Sequence, residues 1–141
     1  LFSGFGCEEK YIDPLLAVFG ARIANPKDFA LRNRVLLLLA ANGVAIDISL
    51  AGLPFEQEII ERATPFCYSP DCPLITCSAE DLIILKAFAD RAKDWADIEG
   101  ILLRQGPMLD FQYILKQLTP LCALKEAPEI VDKLRHLMKE A

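Results

Sequence analysis

Apolar and polar positions follow two different rhythms along this chain. Up to about residue 77, short apolar runs are broken repeatedly by Gly, Pro and Asn. Beyond Ser78 the apolar residues recur at steps of three and four. Residues 1–6 (L-F-S-G-F-G) predict a strand end running into a glycine loop, and residues 7–19 predict a helix, because Tyr11, Ile12, Leu15, Leu16 and Phe19 share one face and Gly20 suits a stop. Asp13-Pro14 also permits a later start, with Asp13 as cap. A short helix follows over residues 26–32. Residues 34–41 and 44–50 flank Asn42-Gly43, the strongest short hairpin signal, in which both turn residues take positive φ. The first arm is apolar on both faces, as in a central strand. The second alternates, with Val44, Ile46, Ile48 and Leu50 on one side and Ala45, Asp47 and Ser49 on the other. Asp47 is an uncommon strand residue. It is either part of a solvated face or a residue with work to do.

Residues 54–63 predict an amphipathic helix on Phe55, Ile59 and Ala63. Two short strands, 66–68 and 74–77, are joined by S-P-D-C-P. From Ser78 the chain reads as helix. Ser78 can cap, and Glu80 and Asp81 place negative charge in the first turn. Lys86 is then the one charge in the run L-I-I-L-K-A-F-A, among Leu82, Ile83 and Ala89. A lysine in such company must reach water or meet a negative partner, and Asp90, Asp94 and Asp97 follow at once. Gly106-Pro107 ends the second helix. A third helix carries Phe111, Ile114, Leu115 and Leu118, and Pro120 is expected to kink or end it. A fourth begins at Pro128, with a clean stripe of Ile130, Val131, Leu134, Leu137 and Met138, from which His136 falls away to the surface. The pattern predicts an α+β chain. An α/β half over residues 1–77 is followed by a helical half of about four helices over 78–141, packed on it as a single compact unit.

Composition narrows the function. The 141 residues suffice for one domain with a core, and the high apolar fraction of 53% points to a buried core or interface, since no run approaches the roughly 18 residues that span a bilayer. A net charge of −5 argues against non-specific coating of duplex nucleic acid. The five cysteines are odd in number, and Cys67, Cys72 and Cys77 lack the short paired spacing of zinc sites, so reduced thiols in a cytoplasmic protein are expected. Trp95 reads as core between helices, and Glu56 as a helix-start acid.

The stretches G-V-A-I-D-I-S-L-A-G-L-P-F-E (43–56), S-A-E-D-L-I-I-L-K (78–86) and D-R-A-K-D-W-A-D-I (90–98) resemble, in the same order, the DNA polymerase β-like nucleotidyltransferase superfamily. Within it they are most similar to small bacterial members related to the AbiEii-type toxins. The resemblance implies a minimal mixed sheet bearing three carboxylates, closed over by a helical subdomain. It implies a bacterial, cytoplasmic enzyme that uses Mg²⁺ or Mn²⁺ to transfer a nucleotide from a nucleoside triphosphate to RNA, protein or a small molecule, as the toxin of a toxin–antitoxin pair with an antitoxin partner. Charge on the phosphates must be neutralised in such chemistry. The resemblance casts Asp47 as the third metal carboxylate and Lys86 as a phosphate contact. It casts Asp94 and Asp97 as acids that orient Lys86 or act as a base, with Arg91 beside Lys86 and Asp97 on the substrate.

One departure is large: no Gly-Ser turn followed by an Asp-x-Asp pair occurs in these residues. The family places that motif just ahead of Leu1, and a first residue other than Met fits a chain cut there. With one of three metal carboxylates, Asp47 would hold Mg²⁺ poorly. These 141 residues alone are therefore expected to be inactive. The alternative is a non-catalytic binding or oligomerisation module that keeps the fold, with Lys86 sealed in an ion pair.

Overall fold

The computed structural model describes residues 1–140, which form seven α-helices and two small antiparallel sheets. In chain order these are α1 (Glu9–Val18), β1 (Gly20–Ala21), α2 (Pro26–Asn33), β2 (Val35–Leu39), β3 (Ala45–Ser49), α3 (Pro54–Arg62), β4 (Thr64–Ser69), β5 (Cys72–Thr76), α4 (Ala79–Ala89), α5 (Ala92–Gln105), α6 (Phe111–Leu124) and α7 (Glu129–Glu140). They fall into two compact units, Leu1–Glu61 and the residues from Arg62 on. The mixed sheet that the resemblance implied is not what the strands make. Both sheets are antiparallel, and parallel pairing among the described residues is limited to an isolated bridge between Phe2 and Ala51.

In the first unit the strand order is β1-β2-β3. β2 is central, as its apolar arm predicts. Its two faces are not equally covered: Leu36 and Leu38 are fully buried with Ile12 of α1, Ala30 of α2 and Leu50, while Val35 and Leu37 on the other face are only half-buried. β3 keeps the predicted alternation, with Ile46 and Ile48 inward and Ala45, Asp47 and Ser49 exposed. The connecting turn differs from the two-residue form. The Gly43 N–H donates to the Ala40 carbonyl and the Ala40 N–H to the Val44 carbonyl, closing a three-residue loop in which Gly43 (φ 82°) and not Asn42 takes positive φ. Gly20 does not stop α1 by a left-handed turn either. Phe19 is already extended, and Gly20 enters β1 opposite Leu39. Pro14 lies inside α1, so the helix starts ahead of Asp13.

The second unit is built on α4. That helix is apolar on nearly every side, as a helix must be when neighbours surround it, and it packs against α5, α6 and α7. Ile83, Ile84, Ala87, Ile98, Ile114, Leu118, Cys122 and Leu134 are fully buried. Ser78 caps α4 by accepting from the Asp81 N–H at 3.0 Å, and Asp110 caps α6 in the same way through Tyr113 at 2.8 Å. Pro120 neither ends α6 nor stops it short of Leu124. Its missing N–H costs one bond, and the buried residues on both sides, Leu118, Leu121 and Cys122, hold the helix together across the gap.

Candidate functional site

The α4–α5 junction gathers most of the charged residues singled out above. Asp90 ends α4 in the left-handed region (φ 55°), the chain turns at Arg91, and α5 begins, which brings its first turn back beside the last turn of α4. Lys86 Nζ donates to Asp97 Oδ2 at 2.6 Å and to Asp94 Oδ1 at 3.4 Å. Arg91 donates to the same Asp94, Nε to Oδ2 at 2.5 Å and Nη2 to Oδ1 at 3.3 Å. The Asp94 side chain is only 2% exposed, Lys86 is 21% exposed, and Asp97 is 57% exposed. Asp94 is thus a buried carboxylate held by two cations. Asp97 is the solvent-side partner of Lys86. The Arg91 guanidinium, with help from Lys86, holds the Asp94 carboxyl below its ordinary range, and Asp97 followed by Asp94 holds the Lys86 ammonium above its own.

Asp90 takes no part in that cluster. Its carboxylate accepts the Trp95 indole N–H at 2.7 Å, which fixes a ring that is 5% exposed and that carries Lys133 over its face at 4.0 Å. Trp95 is a packed residue whose polar edge is satisfied.

Asp47 belongs to the other unit. It stands opposite Leu37 in the β2–β3 ladder, and Arg22, whose backbone N–H bonds the Leu37 carbonyl, reaches across the same face to form an ion pair with the Asp47 carboxylate. A cation brought to Asp47 would meet that guanidinium. Among the described residues no group of three or more His, Cys, Asp or Glu side chains is arranged to hold a metal ion. Asp47 as it stands, paired with Arg22, does not fit the role of a Mg²⁺ ligand. Glu56 is spent on its own helix start, where Oε2 accepts from the Gly52 and Leu53 N–H groups, both at 2.9 Å.

Three polar clusters carried no sequence signal, because their members lie far apart along the chain. Arg22 with Asp47 is one. In the second, Arg34 pairs with the buried Glu8 and donates to the carbonyls of Leu50 (3.0 Å) and Gly4 (2.9 Å). In the third, the buried Asp81 accepts from Arg62 and from the Tyr113 hydroxyl, both at 2.8 Å.

Compared with protein-family models and with curated proteins, the chain finds no match. Among the described residues no helix is long and apolar enough to cross a membrane.

Proposed function

We propose that these residues form part of a polymerase β-like nucleotidyltransferase that moves a nucleotide from a nucleoside triphosphate to an RNA, protein or small-molecule acceptor. It would work in the cytoplasm, as the toxin of a toxin–antitoxin pair, and these residues do not catalyse the transfer alone. The observation that carries the reading is the grip on Lys86. Its ammonium is partly exposed, kept charged, and held on one side by a buried aspartate and on the other by an exposed one. A phosphate oxygen can replace Asp97 at Lys86 while Asp94, already neutralised by Arg91, keeps the lysine aimed. Inactivity follows from Asp47, a lone carboxylate engaged by Arg22, since this chemistry needs several acids around its divalent ion.

One feature favours a second reading, the non-catalytic module. Lys86 and Arg91 against Asp94 and Asp97 sum to no net charge, so the cluster has no surplus attraction for an anion. An assay with Mg²⁺ and labelled triphosphates separates the two. Residues 1–141 should transfer nothing. The same chain preceded by a Gly-Ser turn and an Asp-x-Asp strand should transfer nucleotide to itself or to added RNA, and Asp47→Asn should reduce that transfer by at least about a hundredfold. Transfer by residues 1–141 alone would overturn the assignment of the missing acids, and silence of the extended chain would leave the module.

A further inference from the structure

The pair Asn42-Gly43, which joins β2 to β3, also carries a reaction of its own. An asparagine carboxamide can be attacked by the main-chain nitrogen of the next residue, and that residue decides whether the attack is possible. The chain has three asparagines. Asn25 precedes Pro26, whose nitrogen has no proton to lose. Asn33 precedes Arg34, whose N–H is bonded to the Ala30 carbonyl at 2.9 Å, and the Asn33 Nδ2 itself donates to the Phe29 carbonyl at 3.0 Å. Asn42 precedes Gly43. Both residues are exposed, and a Cβ at Gly43 would meet nothing within 4 Å, so that nitrogen is open to water and base.

We infer that Asn42 is a site of spontaneous modification, at which the carboxamide is converted through a cyclic imide to aspartate and isoaspartate. The turn favours ring closure. Asn42 Oδ1 accepts the Val44 N–H at 3.2 Å, so the carboxamide reaches back across the Gly43 peptide, the unit that attacks it. The Gly43 nitrogen, its proton lost to hydroxide, bonds to Asn42 Cγ. Negative charge then grows on Oδ1, where the Val44 N–H already points. The bond from Cγ to the amide nitrogen breaks, and ammonia leaves with a proton taken from water. Water opens the imide at one carbonyl or the other, and nothing is oxidised or reduced. One bond opposes the reaction, since the Gly43 N–H donates to the Ala40 carbonyl at 2.9 Å and must first let go. It sits at an exposed loop tip, where opening costs least. The isoaspartyl product carries an extra methylene in the main chain of a three-residue loop, and so disturbs the turn that sets the β2–β3 register. Either product leaves the chain one unit more negative than its −5.

Incubation of residues 1–141 in mildly alkaline buffer, without nucleotide, tests this. The readouts are charge-resolved chromatography, peptide mapping by mass, and labelling of isoaspartate with an isoaspartyl methyltransferase. The expected result is a growing acidic form whose change lies at Asn42, with Asn25 and Asn33 still amides. The rate in the folded chain should lie within about tenfold of the rate in urea, because only a loop-tip bond has to open. Asn42→Gln, which would have to close a larger and slower-forming ring, should lose the acidic form over the same time. Asn42→Ser, with no carboxamide, serves as the second variant. A folded chain in which Asn42 outlasts the urea-unfolded one by more than about tenfold overturns the inference. So does conversion that begins at Asn33, or an acidic form that persists in both variants. None of these outcomes depends on whether the chain handles nucleotides.

Discussion

Asp94 is the residue whose loss should be felt most. Buried and doubly paired, it is also the acid that keeps Lys86 and Arg91 together. Asp94→Asn should cost about 2–3 kcal/mol, which lowers Tm by roughly 5–15 °C. The sign of its pH dependence is fixed by the direction of its shift. Because the folded pKa lies below the ordinary aspartate value of about 4, the contribution is complete above that value and disappears as pH falls through the lower folded pKa. The Tm gap between wild type and Asp94→Asn should therefore be constant at neutral pH and close in acid. A gap that persists in acid means that the loss is one of packing. Lys86 behaves in the opposite sense. Its raised pKa keeps its contribution complete below the ordinary lysine value of about 10.4, and it is lost only as pH rises through the higher folded value. Arg22 and Asp47 form an exposed pair, for which about 0–1 kcal/mol is the usual worth. Arg22→Ala should leave stability nearly unchanged.

At the scale of elements, Arg34 does for the first unit what Asp94 does for the second. It closes α2 in the left-handed region (φ 57°), and its guanidinium joins Glu8, the Gly4 carbonyl and the Leu50 carbonyl, tying residues 3–8 to the end of β3. Arg34→Gln should cost about 2–3 kcal/mol and open the Gly4–Gly6 region to proteolysis, measured by urea unfolding and by the cleavage site. Uncut residues 1–8 would show that the bridge from Phe2 to Ala51 suffices. Elements were the most legible level of the sequence. Period, Asn42-Gly43, Ser78 and Gly106-Pro107 place nearly every helix and strand, because local steric and capping preferences decide them. β1 was not legible, since two residues carry no period. Nor was the passage of α6 through Pro120, where packing on both sides outweighs a local preference.

For the whole molecule, the sequence and the structure meet at the α4–α5 junction. A single lysine inside an apolar run, followed by aspartates a helical turn apart, was enough to place Lys86 against Asp94 and Asp97, because both partners are close in sequence. Asp47 was legible as an odd strand residue, but its partner Arg22 was not, being 25 residues away along the chain. The remaining question is whether Lys86 serves a phosphate or only its aspartates. Calorimetric titration of a nucleoside triphosphate with Mg²⁺ into wild type and Lys86→Ala, with melts of both, answers it most directly on chains extended at the N-terminus by an added Gly-Ser turn and Asp-x-Asp strand. The nucleotidyltransferase account predicts that wild type binds and that Lys86→Ala binds at least about tenfold more weakly while still melting as a folded protein. Equal binding by the two, or no binding by either, would contradict it.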